Sequence, residues 1–325
     1  MSTAQESTAS SSLPKFSREC PLCGSAGLTP AEISSEAYSL LECRACGVSF
    51  LSPLPNDYEL ACYYDEMYYG KNRKKFLTPI QIMVTAMTKS KWGKIQRLMV
   101  SGGRFLDIGC GRGTLVQKAR AEGYEAYGIE RNASPQHTEP HIFYKDLSEC
   151  AFPDNHFQTI ILFHVLEHLR EPVETLREIR RILQPGGWLF LAVPNFGGAQ
   201  ARASGRDWFH LDLPRHLWHF NKRSLAKLLE QNGFHVQRTS TYSFEYDWYG
   251  TLQSWMNRAM GDENLLYAIL KGERRFSAVG KIMRLAVASL LALPALINSI
   301  WDAARGEGGT LSMMAKKKEL DALKR

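Results

Sequence analysis

Apolar and polar positions alternate in a regular succession over residues 101–242 of the 325-residue chain. Arg104-Phe-Leu-Asp-Ile108 is a short apolar strand, and Thr114 to Glu122 follows it as a helix ended by Gly123. Tyr124 to Glu130 reads as a second strand. Phe157-Gln-Thr-Ile-Ile-Leu-Phe163 is another, apolar almost throughout. Pro172 suits a helix first turn. Val173, Leu176, Ile179 and Leu183 then recur at helical spacing, and Gln184-Pro-Gly-Gly187 breaks that helix. Trp188 to Val193 is a strand, Ser224 to Gln231 a helix, and Phe234 to Ser240 a strand. Strand–helix alternation of this kind predicts a parallel sheet with helices on both faces. Residues 309–317 read as a last strand.

The remainder divides by composition. Residues 1–17 are rich in Ser, Thr and Ala and read as a disordered tail. Residues 18–53 carry paired cysteines, and residues 54–100 read as a helical linker or lid. Residues 243–305 form a helical insertion before a last strand and charged tail at 306–325. Leu285 to Trp301 is apolar but marginal in length for a membrane span, and Pro294 and Asn298 are expected to interrupt it. A helix packed on the domain, or one lying in a membrane interface with Lys281 and Arg284 near headgroups, is expected instead.

Lys and Arg number 40 against 33 Asp and Glu, a net charge of +7. That surplus fits an anionic ligand, a nucleic acid or a lipid surface. It is concentrated between Gly70 and Gly103, where Lys71, Arg73, Lys74, Lys75, Lys89, Lys91, Lys94 and Arg97 meet no acidic residue. Hydrophobic residues at 44% and charged residues at 22% exclude a disordered or collagenous chain. The seven cysteines are odd in number and only partly paired, and the N-terminus lacks an apolar signal segment. A reducing cytoplasm is the expected setting, with contact at the inner face of the membrane as an extension.

Two motifs carry chemistry. Cys20-x-x-Cys23 and Cys43-x-x-Cys46 have the spacing of a four-thiolate zinc site, and Gly24 and Gly47 suit its tight turns. A site closed by four protein ligands is structural. The run Asp107-Ile-Gly109-Cys110-Gly111-Arg-Gly113 joins the first strand to its helix, and Glu130 ends the next strand. Glycines let a ligand approach the backbone, and a carboxylate there can accept both ribose hydroxyls. Thr114 stands where the dinucleotide fingerprint needs glycine, and no Gly-Lys-Ser/Thr is present for a P-loop.

The run Leu106–Gly113 resembles the first motif of class I S-adenosylmethionine-dependent methyltransferases. Gly128-Ile-Glu130, Asp146-Leu147, Phe152–Phe157 with His164-Val-Leu-Glu-His-Leu169, and Leu183-Gln-Pro-Gly-Gly187 resemble its later motifs. Gln158 stands where relatives carry Asp. The resemblance covers roughly residues 101–242. It implies a Rossmann-like, doubly wound, mainly parallel seven-stranded α/β sheet. It also implies S-adenosylmethionine held by Asp107, Gly109, Cys110, Gly111 and Gly113 on the methionine side, Glu130 at the ribose, Asp146 and Leu147 at the adenine, and His164 near the methyl group. Cys110 reads as a loop filler. Similar cysteine modules precede the domain in deoxysugar C-methyltransferases and in methyltransferases of polysaccharide gene clusters. Asp212-Leu-Pro-Arg-His216-Leu-Trp-His219 resembles the segment of the C-methyltransferases that holds a catalytic His–Glu dyad. His216 is thereby the leading base, with His164 and His219 as further candidates. Arg215 replaces the dyad's Glu, which argues against C-methylation of a keto sugar. His164-x-x-Glu167-His168 also matches an inverted zinc-protease motif, but its place just after a strand speaks against that.

The expected acceptor is a small molecule, a sugar, glycolipid or related metabolite. The alternatives are RNA methylation, favoured by the charge and the zinc module, and a non-catalytic zinc-containing interaction protein on the same fold. Against RNA, the Asn/Asp-Pro-Pro-Tyr/Phe tetrapeptide is absent after the fourth strand.

Overall fold

A computed structural model describes residues 17–34, 38–63, 91–93, 95–131, 139–261, 264–271 and 277–318. Residues 1–16 of the expected tail, residues 64–90 of the expected linker with most of its basic run, and residues 319–325 lie outside them.

Among the described residues, eleven strands follow one another: β1 (Leu28–Ser34), β2 (Ser39–Cys43), β3 (Ser49–Ser52), β4 (Arg104–Ile108), β5 (Glu125–Ile129), β6 (Ile142–Phe143), β7 (Phe157–Phe163), β8 (Leu183–Pro194), β9 (Trp218–His219), β10 (Phe234–Ser240) and β11 (Thr310–Lys317). The α-helices are α1 (Asp57–Cys62), α2 (Thr114–Ala121), α3 (Pro172–Ile182), α4 (Ala199–Ser204), α5 (Lys222–Gln231), α6 (Phe244–Met260), α7 (Leu265–Lys271) and α8 (Ala278–Ala304). The large sheet has the order β10-β11-β8-β7-β4-β5-β6. The run from β8 to β6 is parallel, and β11 lies antiparallel between β8 and β10. This is the doubly wound, mainly parallel α/β sheet that the alternation predicts. The strand order reverses between β4 and β7, and a ligand crevice belongs at the carboxyl ends there.

The central strands are buried on both faces, which explains their unbroken apolar runs. Phe157, Ile160, Ile161 and Leu162 of β7 and Phe105 and Leu106 of β4 are inaccessible. Gln184-Pro-Gly-Gly187 ends α3 as expected, but β8 already begins at Leu183. Phe157 pairs with Leu183 and Thr159 with Trp188, so the four residues bulge out between two ladder positions. Gly186, at φ 69°, makes that bulge possible.

The second sheet, β1-β2-β3-β9, joins the cysteine segment to the rest of the chain. Ser49 and Phe50 pair with His219 and Trp218, and Leu51 donates to the Leu217 carbonyl at 3.0 Å. The stretch around His216 was expected as a loop after the fifth strand. Its end is instead an edge strand of this sheet. Phe50 and Trp218 stack inside the shared core with ring centroids 5.7 Å apart.

Between β10 and β11 the chain forms α6, α7 and α8. The expected interruption at Pro294 and Asn298 does not occur, because α8 runs through both. Proline removes one backbone hydrogen bond, a cost of about 3 kcal/mol in a helix interior, which a helix of 27 residues absorbs. Asn298 donates to Asp302 within the same helix at 2.8 Å. The packed side of α8 is narrow. Ala288 and Ala295 meet Leu252 and Met256 of α6, while Val279, Leu290 and Leu293 stand 77%, 77% and 64% exposed.

Candidate active site and cysteine centre

At the end of β4 the chain turns through three glycines in the left-handed region, Gly109, Gly111 and Gly113, at φ 73°, 55° and 68°. Two of them are enclosed. A Cβ on Gly109 would stand 2.3 Å from Val165 Cγ2, and one on Gly113 would stand 2.4 Å from Ile142 Cδ1. Gly111 is different, since a Cβ there would meet nothing within 4 Å. The Cα side of Gly111 is therefore the part of the loop with free space beside it. Glu130, one residue past β5, accepts a hydrogen bond from the Gly111 amide at 2.9 Å. The carboxylate thus lies beside the loop, at the carboxyl ends of β4 and β5.

Asp107 closes the floor. It is buried, and desolvation together with the nearby Glu130 carboxylate pushes its carboxyl up to about 8, with Lys91 pulling the other way. Cys110 packs against Gly128, where a Cβ would lie 2.6 Å from its sulfur. Burial raises its thiol well above the ordinary range, so it stays protonated and fills space. Past β6, Leu147 is buried, while Asp146 is ion-paired with Arg131 at 2.5 Å. Arg131 was not anticipated.

His164 begins the turn after β7 with φ 56°, a region that costs a residue with a side chain about 1–2 kcal/mol. Its amide donates to Ala192 at 2.8 Å, and its ring lies against Tyr246 of α6 with centroids 3.9 Å apart. The Lys91 ammonium stands 4.9 Å from the Tyr246 ring centroid. Tyr246 escaped the sequence reading because it lies far from His164 along the chain, and Lys91 was read there only as one member of the basic run.

His216 and His219 are not grouped with His164. Both are buried. His216 Nδ1 is 2.8 Å from the His210 carbonyl, and His219 Nε2 is 3.1 Å from that of Leu211. Desolvation lowers His219 to about 4 and His216 well below its usual value, so both rings stay neutral. His216 lies instead against His168, with ring centroids 4.6 Å apart. Glu167 is wholly buried, and desolvation pushes its carboxyl up to about 7.

The four cysteines form a second centre. Their sulfurs lie within 4.8 Å of one another, with Cys20 and Cys46 3.7 Å apart and Cys23 and Cys43 3.6 Å apart. Tetrahedral zinc with bonds of about 2.3 Å would set its sulfurs about 3.8 Å apart, so the pairs fit that ion. Gly24 and Gly47, at φ 71° and 80°, close the two turns by donating to the carbonyls of Cys20 and Cys43. Burial pushes the Cys20 thiol up strongly and Cys46 to about 11, and a divalent cation is what would hold such thiols ionised.

Residues 88–239 match the family model of a methyltransferase domain. A ubiquinone biosynthesis O-methyltransferase of Paracidovorax citrulli is 29% identical over 108 residues, 30% of this chain and 45% of that protein. The 27-O-demethylrifamycin SV methyltransferase of Amycolatopsis mediterranei is 31% identical over 120 residues, 32% of this chain and 44% of that protein. The chain spans about half the length of the curated relatives it matches. Among solved structures, the Burkholderia thailandensis 1,6-didemethyltoxoflavin-N1-methyltransferase aligns with 89% of this chain and 99% of its own, at 14% identity and a TM-score of 0.46.

Proposed function

We propose, from the premise that residues 88–239 are a class I S-adenosylmethionine-dependent methyltransferase domain, that the protein transfers a methyl group to a small-molecule acceptor of the sugar or glycolipid kind. The observation that carries this is the position of the Glu130 carboxylate at the carboxyl ends of β4 and β5, held beside the glycine turn by the Gly111 amide. The residues there suit the cofactor. Gly109, Cys110, Gly111 and Gly113 would line its methionine end, Asp107 would face the amino or sulfonium charge, Glu130 would bind ribose, and Asp146 and Leu147 would flank adenine. S-adenosylmethionine supplies a methyl group already activated on a sulfonium. Alignment of acceptor, methyl and sulfur can supply roughly 7–11 kcal/mol of the barrier, so the protein's main task is positioning. His164, Tyr246 and Lys91 form the acceptor wall, with His164 the nearest base for a hydroxyl. His216 and His219 are held too deep for that part.

A lipid-linked acceptor is supported by α8. Its exposed apolar residues, with Trp301 61% exposed, sit beside a shallow depression of about 470 Å³ lined by Trp255, Pro294, Ile297 and Asn298. By length and composition α8 could cross a membrane. A single crossing is excluded by topology, because β10 and β11 lie on either side of the insertion and pair directly. An interfacial position fits both facts. It would bring the enzyme, in the cytoplasm, to the inner face of the membrane.

The test is transfer of a labelled methyl group into fractionated cell extract, with mass spectrometry of the product. A labelled saccharide or saccharide lipid supports the reading. Failure to bind S-adenosylmethionine at millimolar concentration in calorimetry would sink it.

A further inference from the structure

Glu167, His168 and His216 bring one carboxylate and two imidazoles together outside the cofactor crevice. Their ligand atoms lie within 4.8 Å of one another. The first two follow β7, in the short helical turn Leu166–His168, and His216 precedes β9.

The surroundings fix which atoms point inward. His168 Nδ1 lies 2.9 Å from the Arg215 carbonyl, and His216 Nδ1 lies 2.8 Å from that of His210. A carbonyl only accepts, so each ring carries a proton on Nδ1, and Nε2 is the atom that would ligate a cation. Metal-binding histidines are oriented in this way, by an outer carbonyl or carboxylate. Independently, Glu167 has no accessible surface, and neither carboxylate oxygen makes a hydrogen bond. His164 Nδ1 is 3.4 Å from Oε1 without bonding geometry. A buried carboxylate without a donor is costly unless a cation or proton meets it. Here it lies beside two imidazoles whose Nδ1 atoms are each turned to a carbonyl. Asp212 adds a further oxygen 3.7 Å from His216 Nε2, its other oxygen being held by Arg215.

We propose that Glu167, His168 and His216 bind a divalent transition cation, with Asp212 as an adjacent oxygen donor. Two imidazoles and a carboxylate suit zinc, manganese or iron(II) and leave positions open. One of those would take water. The binding of the cation does not rest on the methyl-transfer reading.

The full chain, freed of metal with a chelator and reloaded with one equivalent of zinc to fill the cysteine centre, is titrated with Mn2+ and followed by electron paramagnetic resonance. Mn2+ prefers nitrogen and oxygen donors to thiolates, so it reads this site. One bound Mn2+ per chain is expected, with affinity lowered at least about tenfold in Glu167→Gln and in His168→Gln. S-adenosylmethionine affinity and circular dichroism of both variants report whether the fold is kept. Absence of Mn2+ binding to the wild-type chain, or equal binding by two folded variants, overturns the proposal. Neither result touches S-adenosylmethionine binding, so the two readings fail separately.

Discussion

Asn221 uses one side-chain amide for two tasks. Its Nδ2 donates to the Gly47 carbonyl at 2.7 Å, and its Oδ1 accepts from the Ser224 amide at 2.9 Å. The same residue therefore caps α5 and secures the second cysteine turn. Lys227 of α5 donates to Ala45 in that turn at 3.1 Å. The cysteine centre is thus a fixed part of the domain. Replacing a capping Asn costs about 0.5–2 kcal/mol, and here a second hydrogen bond goes with it. Asn221→Ala is expected to cost about 2 kcal/mol in chemical denaturation and to loosen the second cysteine turn.

If the four cysteines hold zinc, its removal, like Cys43→Ser, should disturb more than residues 18–53. Trp218 packs on Phe50 and donates to the Leu169 carbonyl at 2.6 Å, so its fluorescence reports on the junction. A changed Trp218 emission and a lower thermal midpoint after chelation are expected. Unchanged emission, with Trp218→Phe as the control, would show the cysteine sheet to be independent of the domain.

Glu130→Ala removes the partner of the loop amide. Charge-assisted hydrogen bonds contribute about 1.5–3 kcal/mol, so S-adenosylmethionine affinity should fall about 10- to 100-fold by calorimetry. The thermal midpoint should barely move, because the group lies at the crevice and not in the core.

The two kinds of glycine in the loop should separate under substitution. Gly109→Ala forces a Cβ against Val165 at 2.3 Å and must shift the turn that bears His164. Gly111→Ala meets no neighbour and bears only the backbone cost of about 1–2 kcal/mol. Cofactor binding should weaken in both, by loss of loop geometry in the first and by blocked approach in the second. Denaturation midpoints distinguish them, with Gly109→Ala the less stable.

Asp107 gives a signed dependence on pH. Its carboxyl moves from an ordinary 3.8 to about 8 in the ligand-free fold, so it is protonated at neutral pH. The native state binds the extra proton between those values. The associated stability is full below 3.8 and is lost as pH rises towards 8. Asp107→Asn should therefore flatten the fall in stability over that window. Binding of a cationic sulfonium should expel the proton near neutral pH. Calorimetry in buffers of different ionisation enthalpy should detect that release in the wild type and lose it in Asp107→Asn.

The large sheet was legible in the sequence because its strands are buried on both faces and their helices keep one apolar stripe. Gly109, Gly111 and Gly113 announced the crevice, since only such a turn needs three of them. The cysteine centre showed itself by spacing. Other features had no local signature. Two residues, Trp218 and His219, are too few to show alternation, and their pairing with Ser49 and Phe50 depends on distant chain. The contact of Tyr246 with His164 crosses from the insertion to the core. Pro294 misled because a proline in a long apolar helix removes one bond without ending it. The position of His216 followed from family likeness, but the carbonyl that turns its ring could be found only in three dimensions.

Strand β11 lies between β8 and β10, both of which precede it in the chain. During synthesis, its two partners leave the ribosome first and wait with unsatisfied edges while the whole helical insertion is made. The apolar α8 emerges immediately before the strand that completes the sheet. A nascent chain at that stage exposes sticky surface at both places, so chaperone engagement should peak just before residues 310–317 appear and end once they dock.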